Sequence, residues 1–153
     1  MSYGYTLARF LKDDYKTRPM FYGVYPVDQL PQRRLSQTRP CIFIVNTDES
    51  YGPGKHWILI FLSSDYRGVY FDSFGRDVED GRIFKFLEIN CHQYEYNDTP
   101  LQGVLSSTCG HYCLYVAKRL ARGHSLKYIL RSFRVFRPYF NDQYVVSRLP
   151  RFY

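Results

Sequence analysis

Residues 105–123, which read LSSTCGHYCLYVAKRLARG, contain the clearest helical pattern in the chain. Four of these residues recur at helical spacing and form one apolar stripe: Cys113, Val116, Ala117 and Leu120. Gly123 follows the stripe at a position where glycine commonly ends a helix. The pattern predicts a helix over residues 109–122 that packs against a core and has Cys109 in its first turn.

Two apolar runs upstream of this helix predict buried strands. Residues 41–45 read CIFIV and residues 57–62 read WILIFL, and short continuous runs of this kind are typical of strands covered on both faces. A turn over residues 63–68 leads to a third predicted strand at 69–72, which pairs with the second as a hairpin. Near the N-terminus, Thr6 can cap a short helix that carries Leu7, Phe10 and Leu11, and a turn-rich stretch follows over residues 22–40. Further patterns predict helices over residues 79–87 and 125–133 and an extended segment over 91–96. The mixture predicts an α+β domain.

Length and composition fit one globular domain. The 153 residues are enough to bury a sizeable core, and 45% of them are hydrophobic. The longest apolar run, residues 57–62, is far shorter than the ~20 residues that span a bilayer, so we expect no membrane association. Four cysteines at irregular spacing and no visible secretory signal favour an intracellular, reducing compartment over secretion.

The charge is unevenly distributed. The net charge is +7, but residues 118–153 contain nine Lys or Arg and one acidic residue, Asp142. A surface of this kind attracts polyanions such as nucleic acid. A solvated helix face explains the same pattern, so both interpretations remain open.

Cys109 is the candidate nucleophile. Unpaired amides and the dipole at a helix N-terminus stabilise a thiolate, and a neighbouring imidazolium stabilises it further. Gly110 follows Cys109 and has no side chain that would obstruct a substrate. Taken alone, however, a cysteine on an apolar helix stripe usually belongs to the core.

Three more residues complete the candidate site. His56 precedes the second strand and is the preferred general base among four histidines, and the ring of Trp57, which follows it, can shield an ion pair from water. Asp72 ends the third predicted strand, which pairs with the second. At this position its carboxylate can orient the imidazole of His56. Gln102 lies seven residues before Cys109 and can donate from its amide to an oxyanion, together with the backbone N–H of Cys109.

These residues lie within motifs that resemble the adenain-like family, the adenovirus endopeptidases, and more distantly the Ulp-type proteases. The resemblance covers residues 21–120. The matching motifs are, in chain order, Phe21-Tyr22-Gly23-Val24-Tyr25, Cys41-Ile42-Phe43-Ile44-Val45-Asn46-Thr47, His56-Trp57, Phe71-Asp72-Ser73-Phe74-Gly75, Gln102-Gly103 and Cys109-Gly110. The chain departs from adenain in having Asp72 where adenain has Glu, in being shorter, and in its C-terminal region.

The resemblance implies a single papain/Ulp-like domain over residues 1–153, in which a mixed β-sheet packs against a central helix that carries the nucleophile. A basic C-terminal helix and tail start at about residue 124. The resemblance assigns Cys109, His56, Asp72 and Gln102 the roles given above. No metal is expected at the site. It further implies a viral endopeptidase of the virion and host nucleus that cleaves capsid or core precursors at small-residue, Gly-containing sites.

The resemblance also implies accessory partners. Non-specific DNA would bind the basic C-terminal region. A short activating peptide would form a disulfide with Cys91, which lies eleven residues before Gln102 as the corresponding adenain cysteine does. An ordinary, partly buried thiol is the competing interpretation of Cys91.

Three alternatives compete with this interpretation. A Ulp-type protease that removes ubiquitin-like modifiers would use the same chemistry. A basic nucleic-acid-binding module would use the Arg/Phe/Tyr mixture of residues 132–140 but would leave the catalytic set unexplained. A zinc site is disfavoured because the chain has no C-x-x-C pair.

Overall fold

The structure, a computed structural model, describes residues 2–36, 39–50 and 56–149. Within these ranges the helices are α1 (Ser2–Asp13), α2 (Gly81–Asn90), α3 (Cys109–Ala121), α4 (Leu126–Leu130) and α5 (Pro138–Ser147). The strands are β1 (Phe21–Pro26), β2 (Cys41–Asn46), β3 (Trp57–Leu62), β4 (Arg67–Phe71) and β5 (Gln93–Tyr96).

The strands form one mixed sheet in the order β1-β2-β3-β4-β5. Strands β2, β3 and β4 pair antiparallel, whereas β1 joins β2 and β5 joins β4 in parallel. The predicted hairpin is therefore present as β3 and β4. Strands β1 and β5 lie at the two edges of the sheet.

Both faces of the sheet are buried, which explains why β2 and β3 are almost continuously apolar. On one face, Ile44 and Leu59 pack with residues of α1 and α3. On the other face, Phe43 and Ile60 pack with Phe86 of α2. Helix α3 thus lies against the centre of the sheet, and the α+β class and the central helix predicted from the sequence are confirmed.

Most predicted elements are present with small shifts. Helix α3 matches the prediction within one residue, and Ser125 caps α4 by accepting a hydrogen bond from the Tyr128 amide. The extended pattern over residues 91–96 was placed two residues early, because Cys91 is the C-cap of α2 and β5 starts at Gln93. Helix α4 ends at Leu130, whereas the pattern extended it to residue 133.

Two elements were not predicted. Strand β1 falls in a segment interpreted as turns, because Gly23 and Pro26 interrupt it and none of its residues is fully buried. Helix α5 begins with Pro138 at its first turn and has no apolar stripe to reveal it. Both elements matter for the site described below.

Candidate active site

The four predicted site residues come from different elements. Cys109 is the first residue of α3, His56 precedes β3, Asp72 follows β4, and Gln102 lies in the segment between β5 and α3. All four side chains are buried or nearly so. As the first residue of α3, Cys109 lies next to backbone amides that have no partner within the helix.

His56 links the acid and the nucleophile. Its Nε2 lies 2.7 Å from Oδ1 of Asp72. Cys109 lies close enough to the ring to contribute, with Asp72, to the raised pKa of His56. The structure therefore brings Cys109, His56 and Asp72 together in the order that a Cys-His-Asp triad requires.

The electrostatics favour a charged imidazole. Burial by itself would lower the pKa of His56, but the hydrogen bond to Asp72 and the electrostatic interactions with Asp72 and Cys109 raise the pKa to about 9. At neutral pH the ring is therefore an imidazolium. Burial instead raises the pKa of the thiols of Cys41, Cys91 and Cys113, which keeps these three cysteines protonated and poorly reactive.

Several neighbours fix the carboxylate of Asp72. The Phe74 amide donates to Oδ1 at 2.8 Å, and Nε of Arg76 lies 3.7 Å from Oδ2. The side chain of Asn97, just after β5, brackets the Asp72 backbone: its Oδ1 accepts from the amide and its Nδ2 donates to the carbonyl. Asp72 is thus held by the sheet, by the turn that follows β4 and by the strand next to it.

An aromatic ring covers the imidazole, although not the expected one. The ring of Phe74 stacks on that of His56 with centroids 4.7 Å apart. The sequence had suggested Trp57 for this shielding role, but the Trp57 ring reaches Gly4 of α1, where a Cβ would lie 3.2 Å from it. Trp57 points to this side because it starts β3 on the face that packs against α1 and α3.

Gln102 is anchored at both ends of its amide. Ser73 donates from its hydroxyl to Oε1, and the Ser73 carbonyl accepts from the Gln102 backbone N–H. Nε2 donates to the carbonyl and hydroxyl oxygens of Ser106, at 3.0 and 3.1 Å. The side chain is therefore fixed in orientation, and its donor hydrogens face the loop that leads into Cys109.

Two cavities lie on either side of the sheet, and the smaller one borders the site. A cavity of about 670 Å³ lies between α1 and the sheet, with Trp57, Asn46, Gly4 and Gly23 on its walls. A second, of about 420 Å³, borders His56 and Asp72 on the α2 side of the sheet. The first is the larger of these two, but none of the four predicted site residues is among its lining residues.

The other predicted residues lie away from the triad. Cys91 is half-buried at the end of α2, where its thiol donates to the Leu87 carbonyl at 3.1 Å and packs against Gly68. Strand β5, two residues later, is a sheet edge. Arg131, Arg134 and Arg137 are exposed between α4 and α5. No group of three or more potential metal-ligating side chains occurs among residues 2–36, 39–50 and 56–149.

The fold defines a class of proteins: it is that of the adenain/Ulp-like cysteine proteases, as the sequence resemblance had predicted. The pS273R protease of ASFV is similar in two crystal structures, with TM-scores of 0.53 and 0.63, identities of 24% and 16%, and coverage of 75% and 94% of this chain. The SUMO protease Ulp1, solved with its catalytic cysteine oxidised to a sulfinic acid, has a TM-score of 0.51 at 12% identity over 95% of this chain.

The matches are structural and partial in length. This chain spans 46% and 64% of the ASFV protease in the two structures and 77% of Ulp1. Neither the protein-family models nor the curated proteins gave a match by sequence. Among the described residues, no helix combines the length and apolarity needed to cross a membrane.

Sequence reasoning missed the residues that hold the site in place. Ser73, Phe74 and Asn97 had no assigned role, although the first two lie in the quoted Asp72 motif. Asp142 was noted for its charge alone. A motif read along the chain can reveal Ser73 and Phe74 as neighbours of Asp72, but Asn97 and Asp142 are brought in by the pairing of β5 with β4 and by the packing of α5.

Proposed function

We propose that this chain is a cysteine endopeptidase in which Cys109 is the nucleophile, His56 the general base and acid, Asp72 the orienting carboxylate and Gln102 the oxyanion donor. The observation that carries the proposal is the imidazole of His56, which is hydrogen-bonded to Asp72 and interacts electrostatically with Cys109. The fold supports it, because the similar structures are proteases.

The reaction starts from the thiolate–imidazolium pair. The Cys109 sulfur attacks the scissile carbonyl carbon, and the carbonyl π electrons move to the oxygen. His56 then gives its proton to the leaving amine as the C–N bond breaks, which leaves a thioester and a neutral imidazole. A water molecule loses a proton to His56 and attacks the thioester, and the Cys109 thiolate leaves, which restores the imidazolium.

The oxyanion is stabilised by the backbone N–H of Cys109 and the Gln102 amide. In the resting structure both Gln102 donor contacts are made to Ser106. We propose that one of these bonds is exchanged for the oxyanion, whose charge makes it the stronger acceptor. The Ser73 hydroxyl holds the other end of the amide in place during this exchange.

The larger cavity is the proposed substrate cleft. Its walls include Gly4, Gly23 and Trp57, the residue that follows His56, beside larger side chains such as Tyr22. We propose that an extended peptide binds in this cavity. The proposed cleavage sites are Gly-containing sequences in viral capsid or core precursors, in the virion and host nucleus, as the adenain resemblance implies.

A Ulp-type activity on ubiquitin-like modifiers is the second candidate, favoured by the likeness to the SUMO protease Ulp1. The two candidates differ in what the substrate presents beyond the cleft. Wild type would be incubated with Gly-X-Gly peptides and with modifier fusions that end in Gly-Gly. Cleavage of peptides at least tenfold faster than fusions supports the endopeptidase; cleavage of fusions alone supports the modifier protease.

The same assay tests the nucleophile. We expect Cys109→Ala to abolish turnover of every substrate, because it removes the sulfur that forms the thioester. Cys113→Ala, one turn further along α3, is the matched control and should retain turnover of the same order. Wild-type turnover in Cys109→Ala would refute the proposed chemistry.

We propose a short peptide as an activator that bonds to Cys91. Cys91 is half-buried, and the adjacent strand β5 is a sheet edge on which an extended peptide can add a further strand. Cysteine-containing peptides should accelerate wild type but not Cys91→Ser. If no such peptide accelerates the wild type, Cys91 has a structural role only.

A further inference from the structure

Asp142 is the one acidic residue among residues 118–153, and its carboxylate faces the loop between Gln102 and Cys109. It accepts from the Tyr112 hydroxyl at 2.7 Å and from the Thr108 hydroxyl at 3.2 Å, both at Oδ1. Its Oδ2 lies 3.3 Å from the Gly103 amide. Helix α5 therefore holds the loop at its beginning, at its end and in the first turn of α3.

These bonds continue to Gln102. The hydroxyls of Thr108 and Ser106 are 2.7 Å apart, and Nε2 of Gln102 donates to the Ser106 hydroxyl at 3.1 Å. A carboxylate only accepts, so Thr108 must donate to Asp142. Thr108 then accepts from Ser106, which in turn accepts from Gln102. The Asp142 carboxylate, which can only accept, thus fixes which group donates in every one of these hydrogen bonds.

Thr108 occupies the N-cap position of α3 but does not cap the helix with its side chain. Its hydroxyl is directed to Asp142 instead. A threonine at this position normally accepts from an amide of the first helical turn. Because Thr108 does not cap α3, its hydroxyl does not accept from the backbone amides near Cys109. The hydroxyl instead belongs to the series of hydrogen bonds that leads to Gln102.

Asn141 reinforces the arrangement. It is completely buried, and its Nδ2 donates to the carbonyls of Leu101 and Arg134, while its Oδ1 accepts from the Arg134 amide. These bonds fix the start of α5 against the residue that precedes Gln102. The position of Asp142 relative to the loop is thus determined by a second, independent set of contacts.

We propose that Asp142 is a positioning residue for the oxyanion donor Gln102 and acts through Thr108 and Ser106. The inference rests on the proposed protease function, which it deepens. Networks of this kind act as a unit, because each hydroxyl is oriented by the next. Without the carboxylate the hydroxyls can reverse, and the Gln102 amide loses its fixed orientation.

The test compares Asp142→Asn with Gln143→Ala, an exposed neighbour on the same helix. On a Gly-containing peptide, Asp142→Asn should lower kcat by about tenfold with KM unchanged, because the lost orientation affects the transition state. Alkylation of Cys109 by iodoacetamide, which forms no oxyanion, should stay within about twofold of wild type. Gln143→Ala should match wild type in both measurements.

Two further variants distinguish the loss of this hydrogen-bond chain from a general effect on folding. Thr108→Val removes the connecting hydroxyl and keeps the side-chain shape, so it should reproduce the loss in kcat. Adding Ser106→Ala to Asp142→Asn should cause little further loss, since the two substitutions interrupt the same chain. Fully additive losses, or equal losses in turnover and alkylation, would overturn the inference.

One readout does not depend on turnover. In ¹⁵N-labelled protein the Gln102 side-chain amide protons should exchange faster in Asp142→Asn and in Thr108→Val than in wild type. Unchanged exchange overturns the inference even if the protein proves to be an active protease. Faster exchange in a protein that cleaves no peptide supports the positioning role and refutes the proposed function instead.

Discussion

The charge of His56 is set by its two partners, and this can be tested at a single residue. Asp72 and Cys109 overcome the effect of burial and raise the pKa of His56 to about 9. Asp72→Asn removes one negative charge, so the pKa of His56 should fall. The His56 ring then loses, at a lower pH, the proton that the leaving amine requires. Turnover should therefore drop by at least about tenfold at neutral pH.

The measurement is the pH dependence of kcat/KM, together with an NMR titration of the His56 ring. In wild type the alkaline limb should lie near pH 9, and in Asp72→Asn it should move to lower pH. Asp98→Asn, an exposed carboxylate elsewhere, is the control and should leave the limb in place. An unshifted limb in Asp72→Asn would contradict the assigned role.

The raised pKa also links folding stability to pH. Because the folded-state pKa of His56 exceeds its ordinary value of 6.5, the imidazolium contributes fully to stability below about pH 6.5. That contribution is lost as pH rises through about 9.

At this scale the sequence indicated which residues meet at the site better than which residues hold them in place. Cys109, His56 and Asp72 could be chosen because each lies at the end of a predicted element, and strand pairing brings two of them together. Phe74 could not be chosen over Trp57, because which of two neighbouring rings covers an imidazole depends on the turn after β4. Asn97 and Asp142 depend on tertiary packing alone.

Among the elements, the turn after β4 places the acid of the site. Gly75 has a φ of +74°, and a Cβ there would lie 2.4 Å from the Thr99 carbonyl carbon and 2.5 Å from the Pro100 nitrogen. Backbone cannot move away as a flexible side chain can. Any side chain at this position therefore displaces either the Asp72 turn or the segment that leads to Gln102.

Gly75→Ala should destabilise the fold by at least about 2 kcal/mol and lower turnover as well, because strain at positive φ adds to the steric conflict. Thermal unfolding gives the first quantity and peptide hydrolysis the second. Gly81→Ala is a matched control: it begins α2, and a Cβ there meets nothing within 4 Å. Equal melting temperatures of the two variants would contradict the proposed role of the turn.

The sequence predicted β2 and β3 from their continuous apolar runs and α3 from its apolar stripe, because these elements are buried at the centre of the fold. It missed β1 and α5, which lack such a signal for two different reasons. Strand β1 is an edge strand that lacks fully buried residues, and α5 is held largely by polar contacts of Asn141 and Asp142 rather than by an apolar stripe. Hydrophobic periodicity does not report contacts of that kind.

For the whole molecule, the basic C-terminal region is only partly available to a ligand. Arg122 is paired with Asp14 at 2.7 Å, and Arg119 donates to the Tyr115 hydroxyl. Arg131, Arg134 and Arg137 remain exposed, although the Arg134 guanidinium lies over the Phe140 ring. These three are the residues through which we propose that DNA binds.

Reversing all three to Glu should weaken binding to duplex DNA by at least about tenfold at low salt, because fewer counterions are released from the phosphates. The control reverses Arg9, Lys16 and Lys85, which are exposed on other surfaces, and changes the net charge equally. Fluorescence anisotropy over a salt series measures both. If the two triple variants bind alike, the region acts only through net charge, and a specific DNA surface is refuted.

The central claim is that Cys109 is a nucleophile activated by His56, and covalent labelling tests it most directly. The probe is a peptide vinyl sulfone that ends in glycine, and intact mass with peptide mapping locates the adduct. One adduct, on Cys109, that is lost in His56→Ala while Cys41, Cys91 and Cys113 stay unmodified is the predicted result. Labelling of another cysteine, or undiminished labelling of Cys109 in His56→Ala, would contradict the account.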